Sequence, residues 1–346
     1  MSILRIFGLI LALGALIVIF LRLRRHSKSR VDVTILSIFG TGMFLVSLFP
    51  GLMNLPTEIL SLDDSERGRL LTLLIISSVA LWFLLIYERG KVRFLNQGFD
   101  RLVRTLAVDN FFKKPRTIQK EAILILIPAY NEENNLRRLL PEFPEQINGK
   151  AIIPLIIDDG SLDKTADLCE EFNALYARNP INRGGGAALR AGFDIARALN
   201  ADIIVTMDGD GQHGIEDIAN LVEPIVSGEA ELIIGSRLLG EMERYSALRY
   251  WGVVFFGRLI SFLTGHKITD PASGFRAFTP RVLETCVLTQ DQYHTSELII
   301  EAAKKGVSVQ ERPVTIRRRI SGQSKKGRNF TYALSFFRTI LRTWIR

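Results

Sequence analysis

Hydrophobic positions divide the chain into two kinds of segment. Three long apolar runs come first, at residues 3–21, 33–55 and 70–87. Each is close to the roughly 20 residues that a helix needs to cross the hydrocarbon core of a bilayer. Beyond residue 120 the runs shorten. Residues 122–127, 151–157, 201–207 and 231–234 are short, nearly continuous apolar stretches separated by helix-like segments. Strands without polar alternation are covered on both faces, so this part predicts an α/β fold, Rossmann-like, with a mostly parallel sheet. At the end, Ala333, Leu334, Phe337, Ile340, Leu341 and Trp344 recur at helical spacing, with Arg338, Arg342 and Arg346 on another side. That is a basic amphipathic helix suited to a membrane interface; the plainer alternative is packing on the domain's own core. Residues 250–263, with Trp251, Phe255, Phe256 and Leu259, pose the same choice. The expected domains are therefore a membrane domain (1–90), a linker (91–120), an α/β domain (121–328) and an interfacial helix (329–346).

Composition and charge sharpen this division. The chain has 346 residues and a net charge of +8, and its mean hydropathy of +0.18 is high for a soluble enzyme. Residues 1–120 carry 17 Lys and Arg against 8 Asp and Glu, residues 121–311 carry 17 against 28, and residues 312–346 carry 10 against none. An acidic centre between basic ends argues against nucleic acid, which needs a basic face on the folded domain, and fits contact with anionic membrane lipid. The loop after the first run holds Arg22, Arg24, Arg25, Lys28 and Arg30 with no acid. The loop at 56–69 holds Glu58, Asp63, Asp64 and Glu66 against Arg67 and Arg69. The positive-inside rule then gives a multi-pass protein of the cell membrane with its catalytic domain on the cytoplasmic side. No small-residue cleavage site follows the first run, which argues against a signal peptide. Pro50 stands where it would kink or terminate the second span. Cys169 and Cys286 lie in no metal or redox motif and are expected to be buried apolar side chains.

Polar clusters follow each strand-like run, where an open parallel sheet binds its ligands. Asp208 and Asp210, one small residue apart, can direct oxygens to a common point, and with Gln212 they suit a hard divalent cation. His213 is either a further ligand or donor contact, or a supporting side chain.

The order Ile127-Pro128-Ala129-Tyr130-Asn131-Glu132, Asp158-Asp159-Gly160-Ser161, residues 182–186, and Asp208-Gly209-Asp210-Gly211-Gln212-His213 resembles the inverting family-2 glycosyltransferases. Ile234-Gly235-Ser236-Arg237 and Asp270-Pro271-Ala272-Ser273-Gly274-Phe275 are similar to its dolichol-phosphate mannose synthase-like branch. The resemblance covers residues 121–328. It implies a GT-A fold, Mg²⁺ or Mn²⁺, a nucleotide-sugar donor (GDP-mannose, UDP-glucose or UDP-N-acetylglucosamine) and a polyprenyl phosphate acceptor. It also implies that Pro128, Tyr130 and Glu132 line the nucleotide pocket, with Asp158 and Asp159 at the base or ribose. Asp208, Asp210 and Gln212 would bind the metal and donor diphosphate. Arg237 and Arg249 would meet the acceptor phosphate, with Arg319 and Lys325 closing over it. Relatives usually follow Gln-His with proline, whereas this chain has Gly214, which puts the rigidity of that loop in question.

A sugar-hydroxyl acceptor would require a carboxylate base, whereas a polyprenyl phosphate is already an oxyanion and chiefly needs placement. In-line attack with inversion then requires no protein base, and Asp270 is the one acid in a suitable motif to act as base or orienter. A processive polysaccharide synthase would need Gln-x-x-Arg-Trp, and none of Trp82, Trp251 or Trp344 is preceded in that way. A transferase acting on a sugar hydroxyl and a non-catalytic membrane scaffold are the remaining alternatives, and the intact Asp-x-Asp pair speaks against the scaffold. Oligomeric state is open, a homo-oligomer included.

Overall fold

The computed structural model describes residues 6, 9–10, 12–14, 17, 30–59, 66–114, 121–240, 247–289, 293–317 and 329–346. The chain forms two units, Met1–Leu95 and Asn96–Arg346. Most of the expected span 3–21 lies outside the described residues. Helix α1, Arg30–Leu48, takes up the second apolar run but ends before residue 55. Phe49 leaves the helical conformation (φ −122°, ψ 77°) ahead of Pro50, which opens a 3-10 turn, Pro50–Met53, followed by helix α2, Asn54–Ile59. Proline disfavours the α conformation in the residue before it, so the apolar run outlasts its helix.

The third run belongs to a much longer element, helix α3, Glu66–Phe112. Among the described residues its Leu70–Phe112 portion is the one helix long and apolar enough to cross a membrane, where the sequence predicted three spans. Residues 91–112, expected as linker, are helical. Arg89, Lys91 and Arg93 end the apolar stretch, but Lys and Arg are good helix formers. No proline interrupts residues 66–112. Beyond Asn96 the helix is part of the second unit, where Val103, Ala107 and Phe111 are buried and Arg104 pairs with Asp194 at 3.0 Å.

The strands of the second unit are β1 Ile123–Ala129, β2 Gln146–Ile147, β3 Lys150–Asp158, β4 Leu175–Arg178, β5 Ile203–Thr206, β6 Leu232–Ser236, β7 Arg276–Phe278 and β8 Val309–Pro313. The four apolar runs became β1, β3, β5 and β6. The sheet order is β4–β3–β1–β5–β7–β6–β8, with β2 antiparallel to the start of β3. β3, β1 and β5 are parallel neighbours, with Ile123 opposite both Ile152 and Ile203. β7 runs antiparallel between β5 and β6, so the sheet is mixed.

Strand alternation sends the two halves of each apolar run to opposite faces. Leu124, Leu126, Leu155, Ile157, Ile204 and Ile234 meet helices α6, Gly185–Ala198, α9, Pro280–Thr285, and α10, His294–Lys304, on one side. Ile123, Ile125, Ile127, Ile156 and Val205 meet α4, Glu133–Leu139, α5, Thr165–Glu171, and α7, Asp217–Val226, on the other. Cys169 and Cys286 are buried free thiols in these two cores, as expected.

The two amphipathic stretches form helices α8, Ala247–Thr264, and α11, Asn329–Ile345. In α11 the buried residues are Phe336, Thr339, Ile340 and Thr343, and Phe336 packs edge-on against Phe256 and Tyr293. Leu334, Leu341 and Trp344 stay exposed. Core packing therefore occupies one face and leaves a second apolar face outside. In α8, likewise, Ile260 is buried while Trp251, Phe255 and Phe262 are exposed.

Candidate active site

Parallel strands deliver their carboxyl ends to one edge of the sheet, and antiparallel β7 delivers its amino end there. This topology gathers residues 128–132, 158–161, 206–213, 236–237 and 270–275. In the first cluster Asp158 and Asp159 are buried. Asp158 accepts the Ser161 N–H at 2.8 Å and lies 3.2 Å from Arg178 Nε. Asp159 accepts Asn179 Nδ2 at 2.7 Å and the backbone N–H groups of Arg183 and Gly184 at 3.1 and 2.6 Å. Burial raises the Asp159 pKa, opposed by those hydrogen bonds. Gly160 has φ +72°, and a Cβ there would sit 2.7 Å from the Ile181 backbone, so the loop closes only over glycine.

Pro128, Tyr130 and Glu132 stand beside this cluster, each partly exposed. The Asn131 N–H donates to Ser161 Oγ at 2.9 Å, and Asn131 Oδ1 accepts the Leu162 N–H at 2.8 Å. Asp163 Oδ1 accepts the Thr165 N–H at 3.0 Å just ahead of α5.

The second cluster follows β5. The Asp208 side chain is 52% exposed, and its Oδ2 lies 3.6 Å from His213 Nε2. Asp210 is 6% exposed and accepts the Gln212 N–H at 3.1 Å. His213 is buried against Phe275, its Nδ1 without a hydrogen-bond partner. Loop 270–275 packs beside Asp208, close enough that a Cβ on Gly274 would come 3.0 Å from Asp208 Oδ1. Gly214, which replaces the usual proline, does not leave the loop loose. Residues after β8 strap it through the His213–Ile316 bridge, the Arg317 N–H to Gln212 O bond (2.8 Å) and the Gln212 Nε2 to Arg317 O bond (3.1 Å). The Arg317 guanidinium also pairs with Glu216.

The third cluster joins β6 to loop 270–275. Arg237 grips Asp270 in a bidentate pair, Nε to Oδ2 at 2.5 Å and Nη2 to Oδ1 at 2.7 Å, and its N–H donates to the same carboxylate. Asp270 is fully buried, and the Arg237 side chain is 12% exposed. Glu311 of β8 holds the loop from behind, accepting the N–H groups of Thr269 and Asp270 at 2.9 and 3.0 Å and Thr269 Oγ1 at 2.8 Å. Arg276, fully buried, donates to the carbonyls of Ser273, Thr295 and Pro271. Burial pulls its pKa down to about 9. Sequence reasoning missed both Glu311 and Arg276. For Arg276 the one available signal was a charge within an apolar and small-residue stretch; Glu311, between Gln310 and Arg312, offered none. Arg319 and Lys325 lie outside the described residues, as does the side chain of Arg249.

Acids beyond the ends of the central strands mark this edge as a ligand site. Residues 124–287 match Glycosyl transferase family 2. The chain is 31% identical over 234 residues to polyprenol monophosphomannose synthase of Mycolicibacterium smegmatis, covering 64% of this chain and 87% of that one. It is 30% identical over 214 residues to UDP-N-acetylglucosamine–dolichyl-phosphate N-acetylglucosaminyltransferase of Methanococcus voltae, covering 56% and 84%. The fold is similar to that of glucosyl-3-phosphoglycerate synthase from Mycobacterium tuberculosis, solved with Mn²⁺, UDP and glucosyl-3-phosphoglycerate. The TM-score is 0.51 at 20% identity, over 65% of this chain and 80% of that one. The protein belongs to glycosyl transferase family 2 and has the GT-A architecture expected from its motifs. Its relatives carry names from the polyprenyl-phosphate branch that those motifs indicated.

Proposed function

We propose that this glycosyltransferase moves a hexose from a nucleotide sugar to a polyprenyl phosphate, with inversion at the anomeric carbon. The Arg237–Asp270 pair carries the reading. A hydroxyl acceptor calls for a carboxylate free to take a proton. Asp270, the acid in the suitable motif, is fully buried with both oxygens committed to a guanidinium. It acts as an orienter, holding Arg237 towards an acceptor that already bears its negative charge.

The other roles proposed here follow the family resemblance. Pro128, Tyr130 and Glu132 line the nucleotide pocket. Asp158 and Asp159 act there largely through the loops they fix, since Asp159 already accepts three N–H groups from the chain. Asp208, Asp210 and Gln212 would hold Mg²⁺ or Mn²⁺. Among the described residues no three His, Cys, Asp or Glu side chains form a ready-made cage. This fits an ion held by one or two carboxylates and completed by substrate phosphates. When bound, such an ion offsets the charge developing on the departing diphosphate. Arg237, with Arg249, Arg319 and Lys325, balances the acceptor phosphate, so that two anions can approach for in-line attack. The apolar helix at Leu70–Phe112 supports membrane association, and the loop charges support a cytoplasmic site on a multi-pass anchor. A cysteine introduced at Ser65 should then react with an impermeant reagent from outside, and one at Ser324 should not.

The test of function is to incubate the full chain in membranes with labelled GDP-mannose, UDP-glucose or UDP-N-acetylglucosamine and polyprenyl phosphate. The expected result is label in an organic-extractable lipid monosaccharide, lost when the lipid phosphate is omitted. Label entering only a pre-existing glycan would overturn the phosphate-acceptor reading in favour of a hydroxyl acceptor.

A further inference from the structure

The loop at 182–186 lies between two anchors. From inside, Asp159 accepts the backbone N–H groups of Arg183 and Gly184. From outside, the Arg183 side chain turns to the helix α3 extension. Its Nε donates to Asp100 Oδ1 at 2.5 Å, its Nη2 pairs with the same oxygen, and its guanidinium lies over the Phe99 ring at 5.3 Å. Both partners are largely withdrawn from solvent, at 24% and 20% side-chain exposure. One turn further along the helix, Arg104 pairs with Asp194 of α6, the helix that this loop begins. The loop therefore has backbone held by the site and side chain held by a helix far away in sequence.

We propose that Asp100, acting through Arg183, is a positioning residue for the donor nucleotide. The loop runs into the N-terminus of a 14-residue helix, and its glycines leave the backbone free to move unless something outside holds it. Asp159 alone fixes two N–H groups. The Arg183–Asp100 pair fixes the direction in which the loop leaves the sheet edge, and so the wall of the nucleotide pocket. The inference rests on the reading of this edge as the donor site.

Two measurements on the full-length, detergent-solubilised chain test it: titration of UDP and GDP, and steady-state kinetics with donor and acceptor varied in turn. In Asp100→Asn, nucleotide affinity should fall and donor KM should rise about tenfold, the scale of one charge-assisted hydrogen bond. Acceptor KM and kcat should stay within about twofold. Asp100→Glu, which keeps the charge, should restore at least half of the loss, and Arg183→Lys should restore less than that because a point charge lacks the fork. Unchanged nucleotide affinity in Asp100→Asn would overturn the proposal. So would an equal fall in every kinetic constant together with a lowered melting temperature, which marks a purely structural role. If the wild-type chain binds a nucleoside diphosphate yet transfers no sugar to polyprenyl phosphate, the acceptor reading fails and the titration alone decides the role of Asp100. A wild-type chain that binds neither diphosphate overturns both.

Discussion

Two pairs of acids stand at the same sheet edge in different surroundings. Asp158 and Asp159 are buried, and their oxygens are engaged by N–H groups of the chain and by Arg178. Asp208 is half exposed, and Asp210, though buried, follows one residue after the loop's glycine. The first pair shapes loops, while the second is the pair we propose faces a ligand. Residue type does not distinguish them; what lies over each carboxylate does. The contrast can be broken by neutralising each pair in turn.

The largest effect is expected at the second pair. Asp210→Asn should lower turnover by at least about a hundredfold, the scale of losing one preorganised charge-stabilising contact. Its melting temperature should stay close to wild type. Normal turnover with saturating Mg²⁺ or Mn²⁺ would remove Asp210 from the metal site.

Next comes Arg237, which we propose meets the acceptor. Arg237→Ala should lower acceptor kcat/KM by roughly ten- to a hundredfold while donor KM moves little. The same change leaves Asp270 buried without its guanidinium partner, which costs about 3–5 kcal/mol of stability. Arg237→Lys should recover much of the stability but less of the activity. A loss confined to donor KM would reassign Arg237 to the diphosphate.

At the first pair the same chemical change should act differently. Asp159→Asn should raise donor KM and loosen the 182–186 loop, seen as faster amide exchange at Arg183 and Gly184, with kcat reduced less than in Asp210→Asn. Equal damage to kcat in the two variants would erase the distinction between loop-shaping and ligand-facing acids.

The smallest effect belongs to the support behind Asp270. Burial holds the Glu311 carboxyl above its usual range in spite of its N–H and O–H donors. The native state then keeps a proton that the unfolded chain has released, so this group favours folding at low pH. Its contribution fades as pH climbs from near 4.5 through the raised native value. Glu311→Gln should flatten that slope in a melting-temperature series and lower stability by about 1 kcal/mol.

Much of the fold could be read from local pattern. Four apolar runs became the four principal strands within a few residues, because a strand buried on both faces must be apolar along its length. The Asp208–Gln212 motif was legible because its parts are neighbours in the chain. Strand β7 was not, since three residues, one of them a fully buried Arg276, are too few to carry a periodic signal. The extent of α3 was not legible either: hydropathy marks where lipid ends, and Lys and Arg let the helix run on to Phe112.

The sequence by itself determined the four principal strands, the apolar anchor segment and the residue types available for chemistry, all of which follow from periodicity and short spacing. Only the tertiary structure decided what each charge does. Asp270 meets Arg237 across 33 positions, Glu311 reaches Thr269 across 42, and Arg183 reaches Asp100 across 83. Pairings at those separations are set by sheet order and loop closure. The antiparallel insertion of β7 brings the 270–275 loop to the acids of β5 and the arginine after β6, and no local pattern encodes that placement.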